Sequence, residues 1–227
     1  MNNLQVVSLL FTSPTKAFAE LKQRPVFALP MCLLLIGTVA VTGWYYSTVD
    51  ITWFAEQMTG AAKLPPAQQQ QMAAVITRPV LLWSSVVVAP IVLVIIVSIG
   101  ALYFMLAGSL TRVRYSYKHW FAFNWWAASP QIIGYVPSLL ILALSRTTQM
   151  FPSSLQPLSL NELVFHRAMG TPGYNLLSAV GLVQVVSAWL TYTGVRAWSG
   201  RSVLFCLVFA LLPTVLIYGV WSLFAFR

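Results

Sequence analysis

From Val80 to Ala107 the chain carries no charged side chain, and this run limits the folds open to it. A helix needs about 20 apolar residues to cross the hydrocarbon core of a bilayer. The run exceeds that length, with Pro90 as its one interruption. Four further apolar runs of spanning length occupy residues 26–46, 120–144, 174–195 and 203–226. Outer-membrane strands would instead alternate in polarity over segments of about ten residues. These runs do not alternate, so helices are expected. A water-soluble domain carries about 25% charged residues, whereas only 7% of this chain is charged and 59% is apolar. Lipid must therefore solvate most of its surface. The expected fold class is all-α: a polytopic five-transmembrane-helix bundle over residues 26–227, preceded by an amphipathic interfacial helix within residues 1–25.

A net charge of +9 raises the possibility of nucleic acid, but binders of that kind gather their basic residues on one solvated face. Here the cations fall in short segments between apolar runs, which is the pattern of membrane flanks. Cys32 and Cys206 both lie inside apolar runs, without the paired spacing of a zinc site or a redox dithiol. They read as small buried apolar residues.

Orientation follows from Lys and Arg in the connections. With the N-terminus in the cytoplasm, the inner segments hold Lys16, Lys22, Arg24, Arg112, Arg114, Lys118, Arg196 and Arg201. The outer side holds Lys63, Arg78, Arg146, Arg167 and Arg227. Five spans then put the C-terminus outside. The small residues Thr38-Val39-Ala40 offer a signal-cleavage site, but the apolar run continues to Tyr46 and an uncleaved first span is expected.

The stretch FTSPTKAFAELKQRP, residues 11–25, gathers four charged residues directly before the first span. Ser13 is placed to cap a helix that opens on Pro14, and Pro25 ends it near Gln23 by disfavouring helical geometry at Arg24. Ala17, Phe18 and Leu21 share a face, so residues 2–23 read as one or two amphipathic helices on the cytoplasmic surface. Their cations, each worth about 1 kcal/mol near anionic headgroups, would face the bilayer. Ser13, Pro14, Phe18, Leu21 and Lys22 are the expected membrane-surface or partner-binding residues. On the outer side, a helix is expected between Pro65 or Pro66 and Pro79, and another over residues 159–169, opening on Ser159 and ending at Gly170.

Ser13-Pro14, Ala17-Phe18, Lys22 and Pro25 before the first of five spans resemble the Yip family, the Ypt-interacting proteins, in its bacterial branch. Pro130, Gly134-Tyr135 and Pro137 in the third span, Trp198 and Gly200 after the fourth, and Pro213 in the last agree with that pattern. The resemblance implies five helices, a cytoplasmic N-terminus and, for a bacterial member, the inner membrane. Eukaryotic members are associated with Rab-type GTPases and vesicle traffic. Their Asp-Leu-Tyr-Gly-Pro motif does not occur in this sequence, and only about 25 residues precede the first span, so GTPase binding is not carried over.

The sequence offers little catalytic chemistry. The four acids lie outside the spans and no two share a helical i, i+3 or i+4 spacing. Asp50 is the only aspartate, which excludes paired-aspartate proteolysis within the membrane. His119 stands among interfacial aromatics, and His166 on an outer amphipathic segment near Glu162. No phosphate loop, dinucleotide motif or metal-ligand spacing appears, so neither an enzyme nor a cofactor is expected. The polar residues within spans are Asn124, Gln131 and Gln184, and Asn124, Gln131, Tyr135 and Ser138 fall at helical spacing on one face of the third span. The leading expectation is a non-enzymatic membrane-organising or trafficking-type adaptor, whose partners are the bilayer, its anionic headgroups and a protein at the N-terminal helix. The alternative is a passive transporter, channel or lipid-handling protein whose cavity is lined by that stripe and Gln184.

Overall fold

The computed structural model describes residues 3–62 and 65–226. Asn2, Lys63 and Arg227, which entered the expectations above, lie outside the described residues, and of Leu4 only the backbone is described. The described residues form helices α1 (Asn3–Thr12), α2 (Pro14–Gln23), α3 (Ala28–Thr48), α4 (Ile51–Ala61), α5 (Pro66–Val75), α6 (Arg78–Trp83), α7 (Ala89–Thr111), α8 (Tyr117–Ala127), α9 (Pro130–Leu144), α10 (Tyr174–Ala179), α11 (Leu182–Ser199) and α12 (Val203–Ala225), with no β-strand among them. Among the described residues, four helices are long and apolar enough to cross a membrane: Ala28–Thr48, Arg78–Thr111, Tyr117–Leu144 and Val203–Ala225.

Prolines and glycines set the irregularities inside these spans. Pro90 lacks an N–H, and its ring crowds the carbonyl four residues earlier. The second span accommodates this with a wider π turn at Ser84–Val88, between α6 and α7. Pro130 acts on the third span in the same way: Ala128 and Ser129 form a turn, and α9 restarts with the proline at its first position. Pro213 sits inside α12 and frees the Phe209 carbonyl, which accepts a hydrogen bond from the Tyr103 hydroxyl at 3.0 Å.

The run at residues 174–195, expected to be one span, is instead two helices. Val180 is extended, with φ −107° and ψ 134°. The Leu160 N–H donates to its carbonyl at 2.7 Å and the Leu182 N–H donates to Leu158 at 2.9 Å, forming an antiparallel bridge between Ser159 and Gly181. Only glycine fits at 181, because a Cβ there would lie 2.2 Å from the Leu158 carbonyl oxygen. The outer segment expected to be helical over residues 159–169 closes early, after a five-residue π turn at Asn161–Phe165. There His166 adopts a left-handed conformation, φ 48°. α5 meets expectation closely, whereas α4 did not stand out from its sequence.

The chain forms two compact units. Unit 1 comprises Met1–Leu34, Leu93–Gln131 and Gln184–Val220, and unit 2 comprises Leu35–Val92, Ile132–Val183 and Trp221–Arg227. Unit 1 is centred on aromatic side chains: Phe18, Phe104, Trp120, Phe123, Trp126, Trp198 and Phe209 are all buried in one cluster. Unit 2 has a smaller core of Val41, Tyr45, Val49, Phe54 and Leu155. It is tied together by polar bonds near Asp50, the N-cap of α4. The Asp50 carboxylate accepts from the Trp53 N–H at 3.1 Å and from the Gln149 amide at 3.2 Å, while its own N–H donates to Thr148 at 2.9 Å. The Tyr45 hydroxyl donates to the Met150 carbonyl at 2.7 Å.

The Trp53 N–H first, and the Gln149 amide second, hold the Asp50 carboxyl below the ordinary carboxylate range. A depressed native pKa adds stability above the unfolded value, and that stability is lost as the pH falls through the native one. Wild type should therefore melt above Asp50→Ala at neutral pH, and the gap should narrow on acidification below about pH 4. Thermal unfolding in detergent across that range checks this, and a gap independent of pH would contradict it.

Candidate membrane-surface site

The residues expected to act at the membrane surface lie in unit 1, and the structure divides them. α2 opens on Pro14, as its sequence dictates, and ends at Gln23, with Arg24 extended at φ −136° ahead of Pro25. Ser13 does not cap through its side chain. Its backbone carbonyl instead accepts from the Lys16 and Ala17 N–H groups, at 2.8 and 3.1 Å. Phe18 and Leu21 are each 0% exposed, so neither can touch a headgroup or a partner. The apolar face of α2 seals the protein's own core, because burying aromatic area against tryptophans outweighs leaving it at an interface. The Phe18 ring lies 5.0 Å from that of Phe123, and its backbone carbonyl accepts the Trp198 indole N–H at 2.6 Å.

Lys22 occupies the edge of this contact. Its ammonium donates to the Trp198 carbonyl at 3.4 Å and stands 5.4 Å from the centre of the Tyr115 ring. The Tyr115 hydroxyl donates to the same carbonyl at 3.0 Å. Trp198 belongs to the last turn of α11, where carbonyls lack helical partners and favour cations. Arg201 acts likewise at the end of α7, donating to Thr111 at 2.6 Å. In unit 2, Arg78 donates to the carbonyls of Tyr46, Ser47 and Val49 around the end of α3. Sequence reading missed these three roles. Their visible trace was a cation in each short segment bordering a span.

The exposed charge of unit 1 is basic. Lys16, Lys22, Arg24, Arg112, Arg114, Lys118, Arg196 and Arg201 all belong to it and are all exposed, against Glu20 as the one acid in the same stretches. Phe11, in α1, is apolar and 69% exposed. His119, half-buried, shares a 2.7 Å hydrogen bond between Nδ1 and the Ser116 hydroxyl and packs edge-on to Trp198.

The expected polar stripe is engaged by protein. In unit 1 the Asn124 amide donates to the Val97 carbonyl at 3.2 Å and fills the space beside Gly100, where a Cβ would approach it to 2.8 Å. Gln131 and Gln184, also in unit 1, are half-buried. In unit 2 the Tyr135 hydroxyl pairs with that of Thr38 at 2.7 Å, and its ring lies where a Cβ on Gly37 would fall. The buried Ser138 hydroxyl lies 3.0 Å from the Gly134 carbonyl and 2.5 Å from that of Leu155. Three of the four stripe residues thus bond within the helical packing. Among the described residues, no three His, Cys, Asp or Glu side chains gather as a metal site.

Apolar helices of spanning length, kinked by prolines, define a polytopic helical membrane protein. The chain belongs to the Yip family: the family model described as Yip1 domain matches residues 8–224. Neither a curated protein nor a solved structure matches the chain.

Gly194 tests how tightly α2 is docked. A Cβ there would come within 2.4 Å of the Phe123 ring and 2.8 Å of the Phe18 ring. Overpacking of this kind costs about 1–3 kcal/mol. Gly194→Ala should lower the melting temperature and speed proteolysis between α1 and α3. An unchanged melting profile would show that α2 is held by something other than this contact.

Proposed function

We propose that the protein is a non-enzymatic inner-membrane protein of the family's bacterial branch, serving as a membrane-organising adaptor. In this reading the fifth crossing is made by the α10–α11 region, and the N-terminus lies in the cytoplasm. The observation that carries it is the charge of unit 1: eight exposed cations, Lys16, Lys22, Arg24, Arg112, Arg114, Lys118, Arg196 and Arg201, against Glu20. Such a surface suits the anionic cytoplasmic leaflet, where each cation contributes about 1 kcal/mol, and it follows the bias of inner connections toward Lys and Arg. Ser13, Pro14 and Lys22 remain at that surface, now with Phe11, Lys16 and Arg24. Phe18 and Leu21 serve as the anchor beneath it. A protein partner at α1 and α2 would meet this basic rim.

Passive transport through the third-span stripe has less support, because Asn124, Tyr135 and Ser138 spend their hydrogen bonds on the protein. Activity reporters fused after Ser116 and after Ser154 should report opposite sides of the membrane, with Ser116 cytoplasmic. The same side for both would remove the five-span arrangement. In proteoliposomes the protein should leave ion and labelled-lipid flux at the level of empty vesicles. A flux that Gln131→Leu abolishes would replace the adaptor reading with the transport one.

A further inference from the structure

Unit 2 contains an open cavity of about 730 Å³ between α4 and the segment from Phe151 to Tyr174. Small-molecule sites commonly occupy 300–1,000 Å³ and carry a few convergent polar groups. α4 contributes Glu56 and Gln57, and the facing segment contributes Asn161, Glu162, His166 and Arg167. Half of this chain's four acids and one of its two histidines therefore line one cavity. No ion pair joins these charges among the described residues. Their bonds are to neutral groups: Glu162 accepts from the Asn161 amide at 3.4 Å, and Arg167 donates to the Pro172 carbonyl at 2.6 Å.

The wall that carries His166 and Arg167 is built to a fixed shape. Asn161, 1% exposed, receives the Arg167 N–H on its side-chain oxygen at 3.0 Å and donates to the Arg167 carbonyl at 3.2 Å. The His166 N–H closes on the Asn161 carbonyl at 2.7 Å. This loop holds His166 at φ 48°, a conformation that side-chain-bearing residues adopt at some cost. Gly170 packs its backbone against Ala61, closing one side. The structure thus places two carboxylates, an imidazole and a guanidinium in one cleft without an ion pair between them among the described residues.

We propose that this cavity binds a small zwitterion with a primary ammonium and a phosphate, the ammonium on Glu56 and Glu162 and the phosphate on His166 and Arg167. Phosphates suit the fork of an Arg guanidinium, and an ammonium offers three donors to carboxylates. The cavity lies in the connections that follow the first and third spans. A phosphatidylethanolamine headgroup or free phosphoethanolamine would supply the same chemistry. The inference concerns unit 2 alone and stands independently of the adaptor reading.

The test is lipid retention by the full-length protein in detergent, read by native mass spectrometry, with phosphatidylethanolamine, phosphatidylcholine and phosphatidylglycerol supplied in turn. Phosphatidylethanolamine should be retained about tenfold over the other two, since one lost charge-assisted bond is worth about a decade in affinity. Glu56→Gln should erase that preference, and Glu162→Gln reads the same contact should Glu56→Gln fail to fold. His166→Gly should weaken retention without lowering the melting temperature, because glycine relieves the left-handed backbone; a merely structural His166 would leave retention unchanged. Free phosphoethanolamine that displaces the lipid identifies a soluble zwitterion as sufficient, and failure to displace it identifies the lipid as the ligand. Equal retention of all three lipids, or a preference that survives both Gln variants, overturns the proposal.

Discussion

The ends of the helices govern this structure. Inside a bilayer every backbone N–H and C=O must find a partner within the protein, and the last turn of each helix leaves carbonyls without one. This chain has few polar side chains for the task and uses its cations. Arg78 covers the carbonyls around the end of α3, Arg201 reaches the end of α7, and Lys22 with Tyr115 converges on the end of α11. Each contact matches positive charge to the negative pole of a helix. Lys22 also makes the N-terminal helices part of unit 1, because its partner carbonyl belongs to Trp198, whose indole bonds back to α2. A cation that reads in sequence as a membrane flank is thus also a tertiary contact, and both roles follow from its place beside a span.

The same accounting explains the prolines. Pro213 frees the Phe209 carbonyl, and Tyr103 supplies the missing donor. Pro90 meets a π turn upstream, and Pro130 a full break between α8 and α9. The three outcomes differ in what stands near each proline. A tyrosine within reach lets α12 continue, whereas at Pro130 the buried Ser129 hydroxyl turns back to the Trp126 carbonyl at 2.7 Å and the chain turns.

Features that rest on local chemistry were legible in the sequence. The four candidate spans lie within a few residues of bounds expected for them, and Pro14 and Pro25 bracket α2 as expected, because proline acts on its own neighbours. Features decided by distant contacts were not legible. The break at Val180–Gly181 depends on Leu158 and Leu160, some twenty residues away, offering a bridge. The face of Ala17, Phe18 and Leu21 was visible as amphipathic, but a helical pattern does not say whether lipid or protein covers it. Trp198, Phe123 and Gly194 decide that question, and Gly194 does so by leaving room for the rings. The stripe of Asn124, Tyr135 and Ser138 is legible as polar, yet its donors are directed to nearby helices and loops.

Polar groups in such a chain therefore divide by whether the protein completes them. Asn124, Tyr135, Ser138 and the capping cations are completed, and their placement is explained by the backbone they serve. Glu56, Glu162, His166 and Arg167 share one cleft, and the buried Asn161 fixes the loop that carries three of them. Ordering a loop costs conformational entropy, and the Asn161 hydrogen bonds offset that cost here. The fold explains the position of this loop through Gly170, Gly173 and the Ser159–Gly181 bridge, but it does not require two signs of charge there. A ligand carrying both signs does require them.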